Sequence, residues 1–468
     1  MSEHILVKDI TPAPKEGADL YASREKIYTR AFSGLFRNLR RGGSAFLFLL
    51  YFGTVWLSWD GHQAVWWNLP ERKFFIFGAT FWPQDFILLS GALITCAFGL
   101  FFITVFAGRV WCGYTCPQSV WTWIFMWCEQ ITEGDRNQRI KLDKAKMSAQ
   151  KFARKCAKHS LWLLIGFITG LTFVGYFSPI RELCIDFFTG QASGWAYFWV
   201  LFFTLATYGN AGWLREQVCI YMCPYARFQS VMFDKDTLIV SYDPRRGETR
   251  GPRKKTADYK ASGLGDCIDC TMCVQVCPTG IDIRDGLQIE CIGCAACIDA
   301  CDSIMDKMNY PRGLINYTTE HNLSGQQTKL LRPRLIGYAL ALLLMMGALS
   351  MAVVLRPLVG LDVSKDRVLF REDKLGRIEN VYSLKIMNKD QKAHSYVLSV
   401  RGMEGLQLGG ERELTVAAGE IINLPVQLAI SPEQLPSTTN DVWLSLQSID
   451  APSIKAEAKT RFIGPLLR

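Results

Sequence analysis

A chain of 468 residues with 49% apolar side chains and a mean hydropathy of +0.10 has room for two or three domains, and is too apolar for an ordinary soluble protein. Its charge of +9 is uneven, because from Leu361 onward 14 basic and 14 acidic residues cancel. Basic residues beside apolar runs orient a chain in a lipid bilayer, which accounts for the excess without a nucleic-acid partner.

In chain order, residues 1–44 read as a polar cytoplasmic segment with no cleavable apolar leader. Apolar runs able to cross about 30 Å of hydrocarbon follow at Phe46–Trp59, Phe86–Gly108, Leu161–Phe177, Gly194–Trp213 and Leu335–Val354, the first being short. Residues 45–234 are thus expected to form a transmembrane region with four spans, and residues 335–358 a fifth. Residues 24–41 carry six basic side chains against one acid, and the loop from Asp135 to Lys158 carries nine against two. The N-terminus and these loops are therefore expected on the cytoplasmic side, and the C-terminus outside.

After the second run comes RVWCGYTCPQSVWTWIFMWC, and after the fourth REQVCIYMCPYARFQSVMF. Each contains C-x-x-x-C-P, with Cys112 and Cys116 in the first and Cys219 and Cys223 in the second, 107 residues apart. This predicts an internal repeat of span pairs. On a helix, thiols at i and i+4 would share a face, with Pro117 or Pro224 disturbing the preceding turn. Four such sulfurs, with a thioether from Met126 or Met222, form a soft set suited to copper(I); small interfacial thiols packed as apolar groups are the alternative. Cys96, Cys128, Cys156 and Cys184 stand alone and read as buried, inert thiols. His62, among Trp66 and Trp67, reads as interfacial rather than as a metal or haem ligand.

Residues 235–334 contain DCIDCTMCVQVCPTGIDIRDGLQIECIGCAACIDACD, with eight of the chain's 16 cysteines within 35 residues. Cys267, Cys270, Cys273 and Cys277 follow C-x2-C-x2-C-x3-C-P; Cys291, Cys294, Cys297 and Cys301 repeat the spacing, with Asp302 in place of the proline. In two-cluster ferredoxins the fourth cysteine of each run ligates the other cluster. The spacing therefore predicts two [4Fe-4S] clusters, one on Cys267, Cys270, Cys273 and Cys301, the other on Cys291, Cys294, Cys297 and Cys277. Two structural zinc sites would leave four of these thiols without a role. Residues 359–468 alternate apolar and polar positions, as at Ile422, Leu424, Val426, Leu428 and Ile430 and at Val442, Leu444 and Leu446. Six or seven strands of this kind predict an immunoglobulin-like β-sandwich, expected outside the membrane and without a catalytic constellation.

The fold class expected is thus a multi-domain membrane protein: an α-helical bundle, an inserted two-cluster ferredoxin-like domain and a β-sandwich. The cluster motif, the preceding SYDPRRGE, the paired C-x-x-x-C-P motifs and the order of spans resemble the CcoG (FixG/RdxA) family of cytochrome c oxidase accessory proteins. The resemblance covers essentially the whole chain. It implies a bacterial inner-membrane protein with its clusters in the cytoplasm, reducing copper(II) to copper(I) for assembly of a cbb3-type oxidase. It implies copper chaperones and oxidase assembly factors as partners beside the lipid bilayer and an unidentified cytosolic electron donor, and leaves homo-oligomerisation open. Cys112, Cys116, Cys219 and Cys223 match the family's boundary motif. A quinol-linked membrane polyferredoxin and a non-catalytic assembly scaffold are the alternative readings.

Overall fold

The computed structural model describes residues 26–465, except 257, 374 and 391. Among these, three helices are long and apolar enough to cross a membrane: Pro83–Ala107, Ala149–Gly175 and Pro333–Val354. The first and third pack together, the Gly91 and Gly99 face of one meeting Leu349 and Leu342 of the other. Ala149–Gly175 packs closely on the helix Gly194–Thr207. Added β-carbons on Gly166 and Gly170 would stand 2.9 Å from the Thr204 carbonyl and 2.7 Å from that of Val200. Small residues four apart let helix backbones approach where lipid offers no hydrophobic drive to associate.

The other two expected spans are not uninterrupted helices. Phe46–Trp59 is replaced by a helix that starts earlier, at Leu35–Phe48, widens to π winding over Leu49–Gly53, and gives way to a strand at Ser58–Trp59. The expected boundary at residue 44 therefore cuts through a helix. Its arginines are accommodated because Arg40 stacks on Trp123, 3.6 Å from the ring centre, and donates to the Cys294 carbonyl. The Gly194–Trp213 run is helical over Gly194–Thr207 and then widens over Tyr208–Leu214. From the end of the first expected span to the start of the second runs an unforeseen pair of small antiparallel sheets, Ser58–Trp59 with His62–Gln63, and Val65–Asn68, Lys73–Ile76 and Ala79–Phe81.

The cysteine-rich region is closed by Ile239–Tyr242 pairing antiparallel with Ile315–Thr318. Val240, Ile283, Ile298, Met305 and Leu314 form its buried core.

From Val359 the chain forms a five-stranded sheet packed on a four-stranded one, more strands than expected because the short segments Arg371–Glu372 and Gln407–Gly409 also pair. Val426, Leu428, Ile430, Val442, Leu444 and Leu446 face inward around Tyr382, Tyr396 and Phe462. Lys389 pins this sandwich to the membrane helices, its Nζ lying 2.9 Å from the buried Asp85 carboxylate.

Candidate iron-sulfur centre

The cysteine loops are built twice from the same local geometry. Asp269 and Thr271, flanking Cys270, have φ of 51° and 54°; Gly293 and Ala295, flanking Cys294, have 64° and 57°. Left-handed backbone at non-glycine residues is costly, and its repetition at equivalent positions marks a functional constraint. Such turns bring successive N–H groups toward one point. Each loop then enters a helix, Met272–Val276 or Ala296–Met308.

The loops and helices enclose two cavities, each with about 360 Å³ of space between atoms. Cys267, Cys270, Cys273 and Cys301 line the first, with Tyr242, Ile304, Met305 and Arg284. Cys277, Cys291, Cys294 and Cys297 line the second, with Ile281, Ile283, Ile292 and Pro278; Cys273 sits on the wall between the two. Cys297 and Cys301 lie one turn apart on a single helix, so the turn itself sends one thiol to each cavity.

Burial disfavours a bare thiolate at these positions, so the sulfurs ionise only with a bound cation to compensate them. Burial pushes Cys273 and Cys291 up to about 12, and raises Cys277, Cys297 and Cys301, with neighbouring thiols adding to it. Against this, the backbone amide of Gly293 donates to the Cys291 sulfur, and those of Thr279 and Ile281 to Cys277. Amide donors aimed at buried sulfurs suit thiolates bound to iron. Among the described residues no three His, Cys, Asp or Glu side chains converge on a single ion. The four-thiol cavities fit the larger [4Fe-4S] cubes.

The boundary thiols come together beside the second cavity. Burial first, then the other thiols of the set, raise Cys112 to about 11 and Cys219 to about 12; Cys116 and Cys223 lie among the neighbours of both. The two motifs do not place each thiol pair on one helical face. Cys116 and Cys223 are extended, with ψ of 125° and 110°, and Pro117 and Pro224 open new helices, Pro117–Glu133 and Pro224–Met232. A residue before proline is pushed to extended backbone, and proline is favoured at a first helical position. The repeat itself reaches the backbone: the helices before each motif end on Gly108 and Arg215, both at positive φ and 107 residues apart. Met126 accepts from the Thr29 hydroxyl at 3.6 Å, and Met222 is exposed, so neither thioether is committed to the set.

Gly113 presses directly on the second cysteine loop: its added β-carbon would meet Cys294 Cα at 2.8 Å. Cys112 packs into the same apolar cluster as Cys294. Arg109 donates to the carbonyls of Ile289, Cys291 and Ala226, and the Tyr317 hydroxyl donates to the Gly293 carbonyl at 2.6 Å. These residues escaped sequence reasoning; the only trace was the arginine three residues before Cys112. Of the lone cysteines Cys128 alone is buried, Cys184 being intermediate, while Cys96 and Cys156 are exposed on helix faces. His62 bonds its neighbour's carbonyl and packs at a tilt against Phe75, with ring centres 4.4 Å apart.

Residues 214–320 match a family described as a 4Fe-4S dicluster domain, and residues 349–465 one described as an Ig-like fold at the C-terminus of FixG. Protein RdxB of Cereibacter sphaeroides is 40% identical over 439 residues, covering 90% of this chain and 92% of that protein. The nitrogen fixation protein FixG of Rhizobium meliloti is 41% identical over 305 residues, 64% of this chain and 58% of that one. A crystal structure of a FixG-related protein from Vibrio parahaemolyticus is 31% identical, covering 23% of this chain and 98% of that one, with a TM-score of 0.22.

Proposed function

Since the chain belongs to the FixG/RdxA family of iron-sulfur electron-transfer proteins, we propose that it reduces Cu(II) to Cu(I) for delivery during assembly of a cbb3-type cytochrome c oxidase. One observation carries this reading: the second four-thiol cavity abuts the boundary thiols through Gly113 and Cys112. In it, Cys267, Cys270, Cys273 and Cys301 hold one [4Fe-4S] cluster and Cys277, Cys291, Cys294 and Cys297 the other. Such clusters, when bound, supply one-electron transfer and no bond-making.

The chain's residues cover, position and receive. Ile281, Ile283 and Ile292 keep water from the second cavity. Arg109 and Tyr317 clamp the loop on which it depends. Copper is the substrate, and Cys112, Cys116, Cys219 and Cys223 offer it soft sulfur, which favours the cuprous product. Five crossings are part of the proposal, the two interrupted helices adding to the three uninterrupted ones. In this reading the N-terminus and cysteine-rich domain lie in the cytoplasm and the sandwich in the periplasm of a bacterial inner membrane, an orientation that the distribution of basic residues supports.

The test is anaerobic purification with iron and acid-labile sulfide counting, reduction with dithionite, and addition of Cu(II) in the presence of a cuprous chelator. Recovery of visible absorption together with chelated Cu(I) is expected. Oxidation of the protein with no cuprous product would overturn the proposal.

A further inference from the structure

A third cavity, about 980 Å³ counted in the same way as the cysteine cavities, opens where Ala149–Gly175 and Tyr208–Leu214 approach the cysteine-rich domain. One wall is Pro278, which also lines the second cysteine cavity. The opposite wall is aromatic. His159 stands edge-on to Trp162, with ring centres 5.2 Å apart, and parallel to Trp213 at 6.1 Å. The Tyr208 hydroxyl engages Nδ1 of His159 at 2.9 Å, so Nε2 remains for a ligand. Trp213 is 54% exposed, presenting an apolar lip to the surface the lipid would cover. His159 and Trp162 come from the helix Ala149–Gly175, and Gly212 and Trp213 from the π-wound segment, a local distortion found often at functional sites.

The cavity's charges are already paired. Arg215 binds Glu129 at 2.6 Å, and Lys158 and Lys155 bind Glu133 at 3.0 and 2.9 Å. Lys26 and Lys155 both reach Asp143, at 2.7 and 2.5 Å. A free phosphate or an anionic lipid headgroup therefore finds no unspent cation among these lysines and Arg215. A neutral, planar ring with polar groups at its edge and an apolar tail matches the walls, the donor set and the open lip.

We propose that this cavity binds the head of a lipid-soluble quinol and is where electrons enter the protein. The inference rests on the iron-sulfur reading of the eight cysteines and not on copper as the acceptor. Oxidation of the bound hydroquinone breaks its two O–H bonds. One proton passes to Nε2 of His159 and the other to water at the mouth beside the exposed Lys26. The two electrons leave singly, one to each iron-sulfur centre, and a quinone remains. Pro278, shared by the two cavities, keeps the ring beside the Cys277 side of the second centre.

The full-length chain, clusters retained, is placed in phosphatidylcholine nanodiscs under anaerobic conditions, with a tritiated ubiquinone of one isoprene unit as the probe. Saturable binding of one probe per chain is expected. His159→Leu should weaken it about tenfold, the loss of one ligand hydrogen bond in a desolvated site. Trp213→Ala, at an exposed position, should weaken it with iron and sulfide unchanged. Non-saturable partitioning, or saturable binding insensitive to both substitutions, would overturn the proposal. So would loss of binding in phosphatidylglycerol nanodiscs, which would mark a headgroup site. In a second measurement, the corresponding quinol should bleach the visible absorption of the oxidised protein without copper present. Protein that is bleached by quinol yet forms no Cu(I) would sink the copper reading alone; protein that forms Cu(I) after dithionite but ignores quinol would sink this one alone.

Discussion

Replacing Gly113 by alanine strikes the junction on which the electron path depends. The new β-carbon would stand 2.8 Å from Cys294 Cα, 2.9 Å from its nitrogen and 2.9 Å from the Gly293 carbonyl oxygen. All three are backbone atoms, so no side chain can swing aside. Carbon–carbon contacts settle at about 3.5–4.0 Å, so the two segments must part by roughly 0.7–1.2 Å. Two tethers resist: Arg40 donates to the Cys294 carbonyl at 3.3 Å, and Tyr317 holds that of Gly293 at 2.6 Å. Overpacking of this kind costs about 1–3 kcal/mol. Because the strain falls on the loop of the second cavity, the first should be spared. Electron paramagnetic resonance of the reduced protein should show one centre altered and one unchanged, with a lowered melting temperature and slower Cu(I) formation. Unchanged spectra and melting in a variant that incorporates alanine would refute the contact and the argument built on it.

The crossed ligand assignment predicts that Cys301→Ser removes the centre of the first cavity and Cys277→Ser that of the second; each should leave about half the iron, with different residual resonance signals. Arg109→Gln removes a positive charge beside the Cys291 loop and should lower the midpoint potential of one centre only, by on the order of 50 mV in a redox titration. Asp85→Ala leaves Lys389 buried without its partner and should cost about 3–5 kcal/mol, read as a lowered melting temperature of the full-length chain. Burial opposes ionisation of Asp143, but hydrogen bonds from Lys155, Lys26 and Tyr28 outweigh it and hold its carboxyl well below the usual range. Its contribution is therefore complete above the unfolded value near pH 4 and lost as pH falls further; Asp143→Asn should speed hydrogen exchange of the nearby Arg30 amide, which donates to the Gln275 carbonyl at 2.8 Å, at pH 7, and the wild type should keep that protection down to about pH 4.

Where the chemistry is local, the sequence revealed it. The thiol spacing grouped the cysteines into the same two sets of four that line the two cavities, Cys297 and Cys301 being parted by one helical turn. The alternation at Val442, Leu444 and Leu446 placed those side chains inward, because a strand has period two. What failed was what depends on distant partners or on backbone choice. The arginines of residues 37–41 suggested a polar tail, yet Arg40 is buried against Trp123 and Cys294, contacts that join residues more than 80 apart in the chain. The C-x-x-x-C-P motif suggested one helix with a kink, whereas proline began a second helix instead of breaking the first. π winding, which divides two of the expected spans, has no signature in hydropathy. The close approach of Gly113 to Cys294 is likewise invisible until the two regions are folded together.

The surroundings of the two cysteine cavities differ in sign, and this bears on why there are two. Arg284 lines the first, but Asp269 and Asp282 bind its guanidinium and cancel much of its field. The second is approached by Arg109, which spends its donors on neutral carbonyls of Ile289, Cys291 and Ala226, and by Arg40, which donates to that of Cys294. An iron-sulfur centre on four thiolates gains negative charge on reduction, so the positive charge of Arg109 favours the reduced form there, while buried Asp299 offsets part of the field of Arg40. An electron is then held more favourably on the side where Gly113 and Cys112 touch the cavity, the side facing the boundary thiols. A quinol yields electrons in pairs, while Cu(II) takes one at a time. On the two proposals above, eight cysteines rather than four would let the chain accept the pair at once and release it singly, with the arginine field setting which site releases to the boundary.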